Sequence, residues 1–272
     1  MIDYGKRDVL GVDVDALDLA SAIERIVYFA ERRLPYVVSA LAVHGVIEST
    51  RDPILRAALN RFDLVLPDGQ PVRWALNLLY GLDLPDKVPG PTVVDGLLER
   101  AALDALPVFF YGSTPETLDG IRAHLDRTFA GRIEMHATPS KFAQVDQAEL
   151  HGIADQINAT GAQICFIGLG CPRQERLTAS LGPHLHMPSL AVGAAFDYLA
   201  GTIDRAPDAL QKAGLEWAFR LSQDPKRLAR RYLTTNSIFA ARFAAQLAGQ
   251  KLGRPVAQRA EAGDTGWDKV DA

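Results

Sequence analysis

The chain has 272 residues, of which 48% are hydrophobic, and this is enough to build one large α/β domain with a smaller addition and excludes a disordered protein. The formal net charge of -4 argues against a general nucleic-acid-binding protein. The first residues lack the apolar core of a signal peptide, and no segment has the ~18 consecutive apolar residues of a membrane span, so we expect a cytoplasmic protein, at most attached to a membrane surface.

Short apolar runs, several of which end at glycine, alternate with helix-like segments through most of the chain. This alternation is typical of a parallel sheet that is buried on both faces. We therefore predict an α/β fold with an open, mostly parallel, Rossmann-like sheet flanked by helices. The predicted strands are Tyr36–Val43, Asp63–Leu66, Val108–Gly112, Ile164–Gly168 and Ser189–Gly193, and the predicted helices are Leu19–Arg32, Pro53–Arg61, Val93–Leu106, Pro115–Thr128 and Gln147–Thr160.

The character of the sequence changes near Arg205, where alternation gives way to helical sequence rich in arginine and lysine. We predict an α/β core over residues 1–204, a basic helical appendage over 205–252 and a disordered tail over 253–272, which mixes glycine, proline and charges. The basic residues are compatible with a solvated face, with contact to an anionic bilayer or with guanidinium groups over a pyrophosphate. A helical apolar stripe supports the appendage and comprises Leu228, Tyr232, Phe239, Phe243 and Leu247.

Asp68 ends the second apolar run, between Pro67 and Gly69. A carboxylate at a strand end can accept a proton from an attacking hydroxyl group. From spacing alone, the commoner role of an aspartate in this setting is that of a turn residue that bonds its own backbone. Both interpretations stay open.

A glycine turn follows the fourth apolar run, in the segment Gly168-Leu-Gly-Cys-Pro-Arg-Gln-Glu175. Its backbone N–H groups could cradle a diphosphate at a helix start, with Gln174 contacting a sugar or base, or it could be an ordinary strand-to-helix turn. It is neither a dinucleotide fingerprint nor a Walker loop, which disfavours a dehydrogenase or an ATPase.

Two other patterns contain residue types that can bind metal ions, but we assign a metal site to neither pattern. Asp13-Val-Asp15 precedes the first predicted helix, where a cap and turn is the better interpretation. The two cysteines, Cys165 and Cys171, fit reduced cytosolic thiols. We predict no metal and no cofactor.

Several segments in a fixed order resemble one family, the WecG/TagA/CpsF glycosyltransferases, over about residues 8–243. The segments are Leu66-Pro-Asp-Gly69, Lys87-Val-Pro-Gly90, Gly168-Leu-Gly-Cys-Pro-Arg-Gln-Glu175, Val192-Gly-Ala-Ala-Phe-Asp197, Gly201, Arg205-Ala-Pro207, Leu215-Glu-Trp217 and Pro225-Lys-Arg-Leu-Ala-Arg-Arg-Tyr232.

The resemblance implies an inverting, metal-independent transfer from a UDP-sugar to a polyprenyl-diphosphate-linked saccharide. The transferred sugar would be N-acetylmannosamine, its uronic acid, glucuronic acid or a related hexose, and the product would enter a cell-surface or exopolysaccharide. The enzyme would work peripherally on the inner face of the bacterial cytoplasmic membrane, with no nucleic acid partner. The sequence is compatible with a homo-oligomer.

Position by position, the resemblance implies that Asp68 is the catalytic base and that Gln174 lies in the active-site pocket. Lys87 stands where many members have an arginine. Ser39-Ala-Leu41 stands where many members have a Thr-x-Asn pair, so an amide that could bond the sugar is missing. The substrate-binding residues expected are Ser39, Lys87, Gly112, Gly168, Gly170, Gln174, Glu175 and Gly193, and those expected at the leaving-group or acceptor diphosphate are Arg220, Arg227 and Arg230.

Two other classes of protein remain as alternatives. One is a non-catalytic regulatory protein that binds a UDP-sugar with the same fold, and the missing amide favours it. The other is an oxidoreductase that uses a dinucleotide. Titration with UDP, UDP-sugars and NAD would separate them from the transferase.

Overall fold

The computed structural model describes residues 1–207, 209–210, 214–252 and 269–271. No helix within these ranges combines the length and the apolar content needed to cross a membrane. The strands are β1 (Asp3–Val9), β2 (Val12–Leu17), β3 (Tyr36–Leu41), β4 (Leu64–Pro67), β5 (Val108–Gly112), β6 (Met135–Thr138), β7 (Gln144–Asp146), β8 (Ile164–Gly168), β9 (Pro188–Ala191) and β10 (Lys269–Asp271).

The helices come between these strands and after them. Several begin at a side-chain cap, such as Asp18, which accepts a hydrogen bond from the Ser21 backbone N–H, and Thr114, which does so from that of Thr117. The helices are α1 (Leu19–Glu31), α2 (Val43–Arg51), α3 (Pro53–Leu59), α4 (Gln70–Tyr80), α5 (Gly90–Asp104), α6 (Pro115–Phe129), α7 (Gln147–Ala159), α8 (Arg173–Leu181), α9 (Ala195–Leu199), α10 (Glu216–Gln223) and α11 (Pro225–Lys251).

Six strands form one sheet in the order β4-β3-β9-β8-β5-β6, and every neighbouring pair is parallel. Successive residues of a strand point to opposite faces, so Phe110 packs with α1, α5 and α6 on one face while Phe109 packs with α7 and α8 on the other. This confirms the predicted α/β fold with an open parallel sheet. The two helices α10 and α11 lie within residues 205–252, for which the sequence predicts a helical appendage.

The register of the sheet brings the carboxyl ends of the strands to one edge. Leu41 pairs with Pro67 at the ends of β3 and β4, and Gly112 pairs with Gly168 at the ends of β5 and β8. In open parallel sheets ligands bind in the crevice beyond this edge. We therefore expect a binding site at this edge.

The appendage packs on the α/β core. Phe239 of α11 is buried in a hydrophobic cluster with residues of β1, β3, α2 and α4. Farther along the same helix, the Gln246 side chain accepts a hydrogen bond from the Leu10 backbone N–H and donates one to the Asp8 carboxylate at 2.6 Å. The helix therefore lies against the core from one end of the sheet to the β1–β2 hairpin.

The interpretation of Asp13-Val-Asp15 as a cap and turn is wrong. These residues lie in β2, and α1 is capped by Asp18 instead. Asp15 is buried, its carboxylate accepts a hydrogen bond from the Val65 backbone N–H at 2.7 Å, and it forms an ion pair with Lys6 at 3.2 Å. Its role is to join the hairpin to the edge of the sheet.

The end of the chain differs from the expectation at three residues. Residues 269–271 form β10, which pairs antiparallel with β7, where the sequence predicted a disordered tail. The rest of that tail, residues 253–268 and 272, lies outside the described residues.

Glycine is required where β5 ends. Gly112 has a φ of 115°, and a Cβ atom at this position would lie 2.5 Å from the backbone oxygen of Gly168 on the neighbouring strand. The close approach of two backbones leaves no room for a side chain. Gly131 offers a contrast, because it has a φ of 74° but nothing within 4 Å of its Cβ position.

We expect Gly112→Ala to lower the free energy of unfolding by roughly 3 kcal/mol or more, since it adds a steric clash to the strain of a positive φ. Gly131→Ala adds only the strain of a positive φ, so it should lower the free energy of unfolding by roughly 1 kcal/mol. Urea unfolding of the two variants measures the difference. Equal losses would show that the contact between β5 and β8 does not constrain residue 112.

Candidate functional site

A pocket of about 290 Å³ opens at the carboxyl edge of the sheet. One wall comes from the core, from the residues that follow β3 and β4, and the other comes from the appendage. The pocket is lined by Ala42, Val43, His44, Asp68, Gly69, Gln70, Pro71, Trp74, Lys87, Gly214, Glu216, Trp217, Arg220, Tyr232, Thr235 and Asn236.

Hydrogen bonds to the backbone hold both the main chain and the carboxylate of Asp68 in place. Its own N–H donates to the Leu66 oxygen at 2.9 Å and to the Leu41 oxygen at 3.3 Å, which ties it to the ends of β4 and β3. Gly69, with a φ of 94°, then turns the chain into α4. The carboxylate accepts a hydrogen bond from the Gly90 N–H in the first turn of α5. A helix N-terminus favours a negative charge in this position.

Burial nevertheless raises the pKa of Asp68 from 3.8 to about 6. Removal from water disfavours the charged carboxylate, and the neighbouring Glu216 acts in the same direction. The positive charges of Lys87 and Arg220 act against this, as does the hydrogen bond from Gly90. A carboxyl group with a pKa near 6 can both take up and release a proton near neutral pH.

Two cations share the pocket with Asp68. Lys87 lies in the loop before α5 and forms an ion pair with Glu216 of α10, so the pair joins the core to the appendage. Arg220 lies one turn farther along α10, and its guanidinium stacks over the ring of Tyr198 at 5.6 Å. The pocket thus combines a partly protonated carboxyl group with positive charge, which suits a substrate that carries phosphate groups.

Gln174 has a different environment from the one expected of a ligand-contacting residue. Its side chain is only 4% exposed. The amide oxygen accepts a hydrogen bond from the Gly170 N–H at 3.0 Å, and the amide nitrogen donates to the Glu175 carboxylate at 2.9 Å. Burial raises the pKa of Glu175, which is 1% exposed. Gln174 and Glu175 therefore fix the glycine turn from beneath, and a direct contact of either with substrate stays a prediction.

The other residues predicted to bind substrate also have packing roles. A Cβ atom at Gly168 would lie 2.7 Å from the Phe196 ring, and one at Gly193 would lie 3.1 Å from the Gln174 side chain. Ser39 lies within β3 and is fully buried. Gly170 alone among the predicted glycines has open space at its Cβ position, so it is the one that leaves room for a ligand beside its backbone.

The glycine turn and Asp68 lie at the same edge of the sheet. The strands β3 and β9 separate β4 from β8, so at the usual strand spacing the two features are about 14 Å apart. The first turn of α2 lies between them, and a Cβ atom at Gly45 would be 3.4 Å from the Cys171 sulfur. A ligand in contact with both features has to be extended, as a nucleoside diphosphate sugar is.

The structure therefore brings together three of the predicted site residues, Asp68, Lys87 and Arg220. Arg230 is exposed on α11 and is not among the residues that line the pocket. The side chain of Arg227 lies outside what the structure describes.

Sequence reasoning missed several residues of the pocket. Glu216 and Trp217 belong to the Leu215-Glu-Trp217 segment, which contributed to the family resemblance but received no role. Tyr232 was assigned only to the apolar stripe of the appendage, and Trp74 had no signal of its own, because an aromatic residue on a helix is usually part of the core.

Comparison with known proteins shows similarity to one family model and to curated proteins. The model of the glycosyl transferase WecG/TagA/CpsF family matches residues 7–253. A protein of Bacillus spizizenii named N-acetylglucosaminyldiphosphoundecaprenol N-acetyl-beta-D-mannosaminyltransferase is 30% identical over 218 residues, which cover 79% of this chain and 81% of that protein.

The raised pKa of Asp68 predicts a pH-dependent cost to folding. Between pH 3.8 and about 6 the folded state holds a proton on Asp68 that the unfolded state has lost. The free energy of unfolding therefore contains a contribution from Asp68 that is complete below pH 3.8 and is lost as the pH rises through about 6. Asp68→Asn removes this titration. From pH 4 to pH 7.5 the stability of the variant should therefore rise relative to wild type, by on the order of 1–3 kcal/mol. Urea unfolding at several pH values measures the difference, and parallel stability curves would contradict the assignment.

Proposed function

Because this chain belongs to the WecG/TagA/CpsF family of glycosyltransferases, we propose that it transfers a sugar from a UDP-sugar to a polyprenyl-diphosphate-linked saccharide. The proposed sugar is N-acetylmannosamine, since the Bacillus relative is named as an N-acetylmannosaminyltransferase. That name also describes an acceptor with N-acetylglucosamine on diphosphoundecaprenol, and we extend this acceptor class to the present chain. The product would serve cell-surface polysaccharide synthesis at the inner face of the cytoplasmic membrane.

One observation carries the proposal, namely the carboxyl group of Asp68 with a pKa of about 6 in a pocket that also contains Lys87 and Arg220. Sugar transfer from a nucleoside diphosphate needs a base for the acceptor hydroxyl and positive charge for the departing diphosphate. The pocket supplies both within one volume. A protein that only bound a UDP-sugar would not need a proton acceptor beside these cations.

We propose the following reaction for these residues. Asp68 takes the proton of the acceptor hydroxyl as its oxygen forms a bond to the anomeric carbon of the donor sugar. The bond from that carbon to the diphosphate oxygen breaks, and its electron pair stays with UDP. Lys87 and Arg220 stabilise the negative charge that develops there. A single displacement of this kind inverts the anomeric configuration.

We propose that these two cations take the place of a divalent ion in stabilising the leaving group. Arginine is well suited to this because its planar group can bond two phosphate oxygens, whereas Lys87 offers a point charge. The ion pair between Lys87 and Glu216 has to open or rearrange for Lys87 to reach a phosphate group.

Asp68→Asn should lower kcat by at least ~100-fold, because the base is lost while the shape of the pocket is kept. In the wild type, kcat/KM should rise tenfold per pH unit up to about pH 6 and level off above it, since only the ionised Asp68 accepts the proton. The assay is transfer from UDP-N-acetylmannosamine to a synthetic prenyl-diphosphate acceptor, in the presence of EDTA and read by mass spectrometry.

The matched control for this variant is Asp83→Asn, which changes an exposed aspartate in the loop after α4. It should transfer at the wild-type rate. Turnover by Asp68→Asn within a few-fold of wild type would remove Asp68 from the mechanism.

Arg220→Gln should have two separable effects. Loss of the charge next to the leaving group should lower kcat at least ~10-fold. Loss of the same charge from the surroundings of Asp68 should raise the pKa of that group, so the acid limb of the rate profile moves to higher pH. Arg242→Gln, a substitution at an exposed residue of α11, is the control. It should leave both kcat and the position of the acid limb unchanged. A lower rate with an unmoved acid limb would show that Arg220 acts on substrate without influencing the base.

A further inference from the structure

The exposure of side chains in the pocket is the reverse of what a protein surface usually shows. Trp74 and Trp217 are 52% and 51% exposed. The side chains of Lys87 and Glu216, by contrast, are only 13% and 24% exposed. Charged groups normally face water and large aromatic groups are normally buried. Here the charges lie deep, and the two tryptophans, which we call the aromatic rim, lie at the mouth.

The two residues of the aromatic rim come from different parts of the molecule. Trp74 lies on α4 of the core and Trp217 on α10 of the appendage, and both line the same pocket. The ring of Trp217 is supported edge-on by Tyr232, with ring centres 6.4 Å apart. A ligand in the pocket therefore contacts apolar surface from two sides before it reaches the charges.

Two further apolar side chains near the rim residues in the chain are exposed. Leu78 is 61% exposed and lies four residues after Trp74, on the same face of α4. Leu215 is 43% exposed and lies two residues before Trp217. Exposed apolar side chains beside a pocket are typical of a binding site for an apolar group.

We propose that the aromatic rim binds the hydrocarbon chain of a prenyl diphosphate, in the segment next to its diphosphate. The diphosphate of this lipid lies deeper in the pocket, beside Lys87 and Arg220, whose positive charge the proposed reaction shares between this group and the departing diphosphate of UDP. The inference rests on the proposed function, because it assigns a place to the lipid part of the acceptor.

The geometry favours a single lipid chain over a bilayer surface as the ligand. The tryptophans line the walls of the pocket that holds the cations, so one molecule with an anionic head and an apolar chain contacts both at once. A flat bilayer contacts the outer surface of the protein and does not reach the cations inside the pocket. Burial of each part of the chain against a ring adds affinity in proportion to the apolar area removed from water.

The test compares two probes, farnesyl diphosphate and inorganic pyrophosphate, by isothermal titration of the full chain without detergent. Wild type should bind farnesyl diphosphate at least ~10-fold more tightly. Trp74→Ala and Trp217→Ala should each reduce a ratio of ~10 to about 3, because removal of half of the apolar contact halves the corresponding free energy. Trp74→Phe and Trp217→Phe keep an aromatic ring and should retain most of the preference for farnesyl diphosphate.

The matched control is Leu103→Ala, which removes an apolar side chain that is 72% exposed on α5, away from the pocket. It should keep the wild-type ratio. A wild-type ratio near 1, or alanine variants of the rim with the wild-type ratio, would overturn the proposal. Vesicles of phosphatidylglycerol without a prenyl diphosphate form a second arm. Rim variants that lose vesicle binding but keep the farnesyl ratio would assign the tryptophans to the bilayer instead and would also overturn it.

Failure of this inference is distinguishable from failure of the proposed function. The titration measures binding and needs no turnover. A chain that shows the farnesyl preference but no sugar transfer would contradict only the transferase proposal. A chain that transfers sugar but binds both probes equally would contradict only the role of the aromatic rim.

Discussion

The balance of charge around Asp68 is the constraint on which the site depends. Two carboxyl groups, Asp68 and Glu216, lie with two cations, Lys87 and Arg220, in a pocket that is partly closed to water. Burial pushes the pKa of Asp68 upward and the cations hold it back, so the final value of about 6 is a compromise between large opposing effects. A different balance would leave Asp68 either permanently protonated or too weak a base to take a proton from a hydroxyl group.

The appendage belongs to the site as much as the core does. Glu216 and Arg220 both act on the pKa of Asp68 from α10, and Glu216 holds Lys87 of the core in an ion pair. The position of α10 depends in turn on α11, whose Phe239 is buried against the core. The chemistry of a group at residue 68 is therefore controlled by residues about 150 positions later in the chain.

The sequence predicted the sheet well and the site in part, for a physical reason. Strands such as Val108–Gly112 and Ile164–Gly168 are continuous apolar runs that end at glycine, and both were predicted to the residue. The β1–β2 hairpin was missed because Asp15 breaks the apolar pattern, although its charge is compensated by Lys6. Gln174 was expected to face a ligand, yet local sequence does not show that Gly170 and Glu175 occupy its amide. Exposure of Trp74 and Trp217 arises only from how α4 and α10 are packed.

The positions of α10 and α11 determine what a chimaera would contain if these helices were exchanged between related chains. The two helices carry Glu216, Arg220 and Tyr232 together, so a chimaera made at residue 214 transplants one entire wall of the pocket in a single step. The transplanted helices then have to match the recipient core at the contacts described above. These include residue 87, where a lysine or an arginine must meet the incoming carboxylate, and Asp8, which must accept a hydrogen bond from the amide of Gln246. They also include the apolar surface that buries Phe239 and the ring of Tyr198 beneath Arg220. The fit of the terminal helices to the core thus combines polar contacts with apolar packing.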